Sequence, residues 1–487
     1  MDRSARVLVA GGGFSGLAAA TLLGHYGVPC LIIERRTQLP PTSRNERLSV
    51  PAVELLRTLG LEEPVRAAGF HPDELGDMLQ ADTLAGPELG RVPQPWVAVP
   101  PRLSPLEPVC CNHAWLRELL RQRALELGAE IWTGSELTDL REEADGLVAD
   151  VRRPEGETSV RVSYVIGADG PHSLVRERAL IEAEGPGTIA QLHGVAFRAD
   201  LGEAIRGRHF VGVQLDGVGG TLLKESGPDS WALLRPRPAD DSPDDSLDEG
   251  EDLVALARAA AGLPDLKVEI DGTFSLPITL LTAERFTRGR VALIGDAACS
   301  LPPTPGMHGG SVLQDAQNLA WKLALILSGT AGPRLLDSYD AERRPLAGLT
   351  LTDALARISV TPPSEDLPDR LTLEFGAVYR SSAVVSEGDQ TFVDPLESAG
   401  LPGTRVPYLG PDLFGRDFVC LAGPGWASAD VPLTALEPSW AEALGVSASG
   451  AVLVRPDGII AWRARTASPE HDLEAVLSHI LNRGDQP

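Results

Sequence analysis

Residues 291–324 read VALIGDAACSLPPTPGMHGGSVLQDAQNLAWKLA. The apolar run Val291 to Ile294 has the composition of a buried strand and ends in Gly295-Asp296. A Pro/Gly-rich turn follows and launches a helix. Such a helix start carries a partial positive charge and favours a negative group at its N-terminal end.

Near the start of the chain, VLVAGGGFSGLAAATLL runs from Val7 to Leu23. Arg6 to Ala10 is a short apolar run of strand type, followed by Gly11-Gly12-Gly13-Phe14-Ser15-Gly16 and an Ala/Leu-rich helix ending near Gly27. This is the Rossmann arrangement. Gly11 permits the tight turn, Gly13 lets the backbone approach a pyrophosphate, and Gly16 lets helix and strand pack closely, while the helix start, with Phe14 and Ser15, offers unpaired N–H groups to phosphates. A second strand, Cys30 to Ile33, ends at Glu34, a little over ~20 residues past the first glycine, where a carboxylate accepts hydrogen bonds from an adenosine ribose.

That opening leaves the dinucleotide unspecified, because NAD-dependent dehydrogenases share it. A third stretch, VIGADGPHSLVR from Val165 to Arg176, narrows the choice. Gly167-Ala168-Asp169-Gly170 follows the largely apolar run Val162 to Ile166, so two further parallel-type strands end in Gly/Asp turns, a double return that dehydrogenases lack. Taken singly, Asp169 and Asp296 have two readings: contact with a cofactor, or the capping of a turn and helix.

Together the three stretches resemble those of the single-component, FAD-dependent aromatic hydroxylases (class A flavoprotein monooxygenases), especially those that act on aromatic polyketides in antibiotic biosynthesis. The resemblance implies FAD as cofactor. It places Asp296 against a ribityl hydroxyl, and sets Pro302 to Leu313 facing the pyrimidine edge of the isoalloxazine, where a helix dipole stabilises negative charge on reduced flavin. Gly295, Pro303, Gly306, Gly309 and Gly310 belong to that wall. Arg44 falls where the family places an arginine near FAD, and Arg35, next to Glu34, counts among the cofactor contacts. VCCNHAWLRELL resembles the segment that carries an Arg or Gln at the cofactor; His113 occupies that position. Arg117, one turn further, is either a second contact to the diphosphate or a surface residue of an amphipathic helix. SYDAERRPLA, Ser338 to Ala347, is a further family-like stretch, a helix carrying Arg343 and Arg344 beside structural partners.

The chain also departs from the family. Relatives usually read PP-[ST]-G-G-x-G-[LMA]-N-x-G here, whereas Pro305, His308, Gly310 and Val312 replace Gly, Gly, Asn and Gly. Proline fixes φ and removes a donor, so this loop follows another path or is stiffer. Pro303 and His308 are the candidate ring-side contacts; the other reading of His308 is an ordinary loop histidine. Cys299 stands where a histidine is frequent.

The expected fold class is α/β, with a Rossmann-type FAD-binding domain, an interleaved β-sheet substrate domain and a C-terminal thioredoxin-like domain. Residues 1–70, 105–180 and 285–385 form the first, with strands and helices alternating as a parallel sheet requires. Residues 71–104 and 181–284 form the second, on strand-like runs HGVAFRADL, HFVGVQLD, GTLLKE, SWALLRP and VEIDGTFSL and one helical stretch, Leu253 to Ala261. On these strands Trp231 and Phe210 either face a flat substrate or are plain core. Residues 390–487 form the third, with a hairpin from Val452 to Trp462 turning at Pro456-Asp457-Gly458. This domain lacks a redox cysteine pair, so its expected part is structural or dimer-forming. The run PADDSPDDSLDEGED at 238–252 reads as a solvated acidic loop.

A net charge of -25 over 487 residues argues against nucleic acid and against an anionic membrane surface as partners. Neither a cleavable signal nor an apolar run of membrane-spanning length is seen, and Cys30, Cys110, Cys111, Cys299 and Cys420 show neither metal-ligand spacing nor C-x-x-C, which points to reduced thiols in the cytoplasm. No metal is expected. The mechanism implied by the resemblance is hydride delivery from NAD(P)H to FAD, reaction with O2, and transfer of the distal oxygen of a flavin hydroperoxide to a polycyclic aromatic substrate. The protein holds the ring, excludes water and favours a phenolate. Baeyer–Villiger insertion or oxidative rearrangement on the same fold, a flavin dehydrogenase or redox-neutral flavoprotein without oxygen insertion, and a non-catalytic flavin-binding protein are the competing readings. NADH and NADPH are not distinguished, and a homodimer is a further expectation.

Overall fold

A computed structural model describes residues 3–38, 45–74, 76–93, 97–225, 229–238, 252–302, 308–358, 367–409, 413–468 and 472–483. Strand β1 (Arg3–Ala10) leads into helix α1 (Phe14–His25), and the chain returns as β2 (Cys30–Glu34). Val7, Leu8 and Val9 are all fully buried, as expected of a parallel strand covered on both faces. Ala18, Ala19 and Ala20 keep α1 narrow, while Leu17, Leu22 and Leu23 disappear into the core, each contributing about 1.5–3 kcal/mol.

Strand β3 (Asn45–Leu48) pairs antiparallel with β4 (Val109–Asn112) in a small ribbon beside that sheet. Asn112 then caps α2 (His113–Glu126), its Oδ1 accepting the Trp115 N–H at 2.7 Å. Further along come β5 (Gly156–Gly167), the short helix α3 (Leu174–Arg178), the long strands β6 (Ala183–Arg198) and β7 (Glu269–Ala283), and β8 (Val291–Leu293). Helices α4 (His308–Leu327) and α5 (Asp337–Ile358) follow, and strands β9 (Ala451–Val454) and β10 (Ile460–Ala464) lie near the end.

The first sheet runs in the order Thr287–Arg288, β8, β5, β1, β2, Glu130–Thr133, with β8, β5, β1 and β2 mutually parallel. Its register matters for function: Ala10 pairs with Gly167, and Gly167 with Leu293. The three glycine-bearing turns therefore leave the sheet side by side. Strands Glu136–Glu143 and Gly146–Arg153 extend it as an antiparallel arm on the first half of β5.

Among the described residues the second sheet has eight strands in the order Cys299–Ser300, β7, β6, Ser230–Pro238, Gly220–Lys224, Phe210–Leu215, Asp77–Ala81, Gly90–Val92. All five strand-like runs read from the sequence lie in it, but β6 begins ten residues before the run HGVAFRADL and β7 runs seven residues past VEIDGTFSL. The helix Leu253–Ala261 covers one face through Val195, Phe197, Leu222, Trp231, Leu233 and Ala257. Cys299–Ser300 pairs with Leu281 and Thr282 of β7, so the chain just past β8 joins this second sheet and physically couples the two units.

The C-terminal sheet is mixed, with the order Leu433–Ala435, Val419–Ala422, β9, β10, flanked by helices Pro438–Ala443 and Leu473–Ile480. Its hairpin turns at Pro456-Asp457-Gly458, with Gly458 at φ +76. One apolar cluster spans Trp321 and Leu335 of the first unit and Phe418, Trp462 and Leu477 of the last, so the two share a core.

Candidate functional site

The three stretches singled out in the sequence meet in pairs. Gly11 has φ +107, and a Cβ there would fall 2.2 Å from the Ala168 carbonyl oxygen, so the first turn presses directly on the second. Gly295 has φ +62, and its missing Cβ would lie 2.0 Å from Ser15 Oγ, which joins the third turn to the first helix. Arg176 closes the set, its guanidinium donating to the Pro171 carbonyl at 2.7 Å and to the Ala297 carbonyl at 2.9 Å.

Gly16 allows the close helix–strand contact, since a Cβ there would meet the Gly11 carbonyl oxygen at 1.9 Å. Gly13 behaves differently: a Cβ on it would find no atom of the described residues within 4 Å. It is also the N-cap of α1, with no side-chain hydrogen bond to the first turn and no acidic residue there. An uncapped helix start facing open space suits a pyrophosphate, whose charge would satisfy the free N–H groups of Phe14, Ser15 and Gly16. Glu34 ends β2 at 6 % exposure; its Oε2 accepts the Gly12 N–H and its Oε1 the Arg36 N–H, each at 2.8 Å. The carboxylate is thus held at the glycine turn with lone pairs left for ribose hydroxyls. These features fit a dinucleotide in the orientation the strand-turn-helix predicts.

Beyond Glu34, exposed Arg35 lines an open groove of about 560 Å³ with Arg36, Gly134, Arg152, Arg153 and Pro154 among its walls. Asp169 points to the helix after it: its Oδ1 accepts the Ser173 hydroxyl and its Oδ2 the Val175 N–H at 3.1 Å. Burial pushes its carboxyl up, against these hydrogen bonds. Asp169 thus helps to hold the first turn of α3, whose N-cap is Ser173. Asp296 sits half-buried in the single turn Gly295–Ala297, beside the Ser15 contact.

His113 begins α2 and is buried, its ring 5.2 Å from that of Phe14 at the start of α1. Its Nδ1 lies 2.9 Å from Glu46 Oε2, and a carboxylate only accepts, so Nδ1 carries the proton. The other oxygen of Glu46 accepts the Gly309 N–H at 3.1 Å, at the start of α4. Glu46 thus ties two helix starts together beside a third. The sequence reading missed it, because NERL carries no motif and its partners lie far along the chain. Gly309 and Gly310 let α4 come close: Cβ atoms there would meet Glu46 Oε1 at 2.5 Å and Ser49 Oγ at 3.0 Å. Arg117 is half-buried one turn along α2 from His113.

Arg44, Pro303 and Gly306 lie outside the described residues, as do the side chain of His308 and most of the acidic run 238–252. Trp231 and Phe210 are core residues, 1 % and 4 % exposed, with ring centroids 6.4 Å apart. Among the described residues no group of His, Cys, Asp and Glu side chains is arranged to hold a metal, and no helix is long and apolar enough to cross a membrane.

Comparison with known proteins gives a consistent result. Residues 4–354 match the family model described as FAD binding domain, and residues 412–484 match that described as aromatic-ring hydroxylase, C-terminal. A 4-methyl-5-nitrocatechol 5-monooxygenase of Burkholderia sp is 34% identical over 99% of this chain and 97% of its own length. A tetracenomycin B2 monooxygenase-dioxygenase of Streptomyces olivaceus is 33% identical over 99% of this chain and 100% of its own. Among solved structures, a ternary complex of aklavinone-11 hydroxylase with FAD and aklavinone superposes with a TM-score of 0.88 at 32% identity, covering 99% of this chain and 100% of the other.

Proposed function

The chain belongs to the FAD-dependent aromatic-ring hydroxylases, and on that premise we propose that it is a monooxygenase that places one oxygen atom from O2 on a polycyclic, polyketide-type phenol, with NAD(P)H as electron donor. The observation that carries this reading is the meeting of three strand-end turns, Gly11, Ala168 and Gly295, around an uncapped helix start. Hydride acceptance and oxygen activation are the chemistry that FAD supplies when bound.

The chain's own residues bind, orient and exclude water. The first-turn N–H groups of α1 would hold the pyrophosphate, with Gly13 giving the backbone its close approach. Glu34 would accept the adenosine ribose hydroxyls, and Arg35 would border the adenine end. Asp296 would accept a ribityl hydroxyl. The start of α4, fixed through Gly309 by Glu46, would present its positive end to the pyrimidine edge and favour added negative charge there. His113, held by the same Glu46, would sit beside the cofactor against Phe14. The Arg44, Pro303, Gly306 and His308 contacts implied by the resemblance complete this proposal.

Two features support the polycyclic substrate: the tetracenomycin relative covers the whole chain, and the aklavinone complex shares its fold throughout. The nitrocatechol relative favours a second reading, a single-ring phenol. Only one dinucleotide fingerprint is present, which supports a transient encounter with NAD(P)H. We place the protein in the cytoplasm because its five cysteines are buried free thiols. The homodimer remains part of the reading, on the resemblance alone, and light scattering measures it.

The test is turnover of the purified yellow protein under labelled oxygen gas with a panel of polycyclic and single-ring phenols. One labelled oxygen in the product, with NADH or NADPH consumed in step, is expected. Substrate oxidation without label would overturn oxygen insertion, and product on single-ring phenols alone would select the second reading.

A further inference from the structure

The family-like helix α5 and the C-terminal hairpin turn meet in a buried charge cluster. Glu342 of α5 is completely enclosed. Its Oε1 accepts Arg455 at 2.7 Å and the Ser381 hydroxyl at 2.6 Å; its Oε2 accepts Arg455 at 2.9 Å, Lys322 Nζ at 2.9 Å and Asn318 Nδ2 at 2.7 Å. Arg455 is itself gripped by Asp457, which also accepts the Trp321 indole N–H at 3.1 Å. A second buried arginine, Arg343, donates to Asp315 at 2.5 Å and to the Tyr379 hydroxyl at 2.7 Å, and reaches the Ser311 carbonyl at 3.4 Å.

Ser311, Asp315, Asn318 and Lys322 follow one another on a single face of α4 at helical spacing. Buried ion clusters are seldom the most stable filling for a core, since apolar residues of the same volume often do as well or better. What they add is direction, because each hydrogen bond is satisfied in only one setting of the helix. This polar face runs from the fourth residue of α4 to its fifteenth, about 16 Å along the axis. Its first turn carries Gly309, whose N–H is already fixed by Glu46.

We infer that the Arg455–Asp457 turn of the C-terminal unit positions the flavin: through Glu342, Asn318 and Trp321 it sets the rotation and axial placement of α4, and with them the helix end offered to the pyrimidine edge. The inference rests on the reading above that the start of α4 faces the isoalloxazine. Arg455 and Asp457 are positioning residues that touch neither cofactor nor substrate. The C-terminal unit is on this view part of the redox site.

The experiment measures the two-electron midpoint potential, visible spectrum, FAD affinity and melting temperature of full-length holoenzyme for wild type, Asp457→Asn, Arg455→Lys, Arg455→Met and, as a reference at the helix start itself, Glu46→Gln. Asp457→Asn is expected to lower the midpoint potential, weakening the preference for reduced over oxidised flavin about 3–10-fold, which is ~15–30 mV for a two-electron couple. FAD affinity should change little, because the pyrophosphate and ribose contacts lie on α1 and β2. Arg455→Lys should fall between wild type and Arg455→Met; if Arg455→Met fails to fold, Asp457→Asn alone decides. A wild-type potential and spectrum in Asp457→Asn, with only the melting temperature lowered, would show that the turn is merely structural and overturn the inference. If Glu46→Gln shifts the potential and Asp457→Asn does not, the inference falls and the placement of α4 stands. If neither shifts it, both fall.

Discussion

Ser15 and Gly295 touch so closely that the hydroxyl of one occupies the space a methyl group on the other would need, at 2.0 Å. The start of α1, proposed to hold the pyrophosphate, and the turn that carries Asp296 therefore press on each other directly. Gly295→Ala must relieve both that overlap and a left-handed backbone at φ +62. The expected result is a loss of about 2–4 kcal/mol in stability and protein isolated largely without flavin, read by urea unfolding and by the absorbance ratio of flavin to protein.

Gly13 gives the opposite outcome. Its backbone, at φ -72 and ψ -172, suits any residue, and no atom of the described residues lies near its absent Cβ. Gly13→Ala should leave the melting temperature of the apoprotein close to wild type while FAD affinity falls at least ~10-fold, about 1.4 kcal/mol, because the methyl group enters the space reserved for the phosphates. Titration of apoprotein with FAD checks it; unchanged affinity would place the pyrophosphate elsewhere.

Glu46→Ala would remove the carboxylate that accepts both the His113 Nδ1–H and the Gly309 N–H. Each buried unsatisfied donor costs about 1–3 kcal/mol, so stability and FAD affinity should drop in parallel. At position 113, where the family resemblance implies Arg or Gln, His113→Gln should hold FAD more tightly than His113→Ala, since an amide N–H can replace the ring donor to Glu46. Dissociation constants for the two variants, measured side by side, decide the point.

The charge of Glu342 gives a pH dependence. Burial works against its carboxylate, yet Arg455 and Lys322 more than offset this and hold its pKa below the usual value of 4.5. The unfolded chain takes up a proton near 4.5 while the folded chain still refuses it, so the unfolded state binds more protons in that interval and stability falls with falling pH. Above 4.5, Glu342→Gln should be less stable than wild type by about 3–5 kcal/mol, the cost of breaking a buried ion cluster. Below 4.5 that gap should narrow steadily, as seen in urea unfolding at a series of acid pH values. A gap independent of pH would mean that folding leaves the Glu342 carboxyl unshifted, and a gap that shrinks as pH rises above 4.5 would mean that it is neutral in the folded protein.

Strands β1, β2, β5 and β8 were legible because each is an apolar run stopped by glycine or an acid, a pattern written in adjacent residues. The sheet of β6 and β7 was equally plain, and the helix Leu253–Ala261 falls where its alanines and leucines suggest. Side-chain partnerships were another matter. Asp169 looks the same in sequence whether it touches a cofactor or binds the following turn, and only folding brings it to the Ser173 hydroxyl and the Val175 N–H. Glu46 belongs to an unremarkable tetrapeptide and acquires meaning only once His113 and Gly309 have come to it. SYDAERRPLA and the turn Pro456-Asp457-Gly458 each stood out, but Glu342 meets Arg455 through folding alone, a relation that no local pattern records.

The neighbour relation of Ala10, Gly167 and Leu293 also bears on how the protein is made. Strand β8 leaves the ribosome only after the whole chain between it and β1 has been synthesised, roughly 15–60 s after β1 at ordinary translation speeds. With the coenzyme held at all three turns as proposed, its uptake is a late event, and nascent chains arrested before β8 should emerge colourless however well their N-terminal helix has formed.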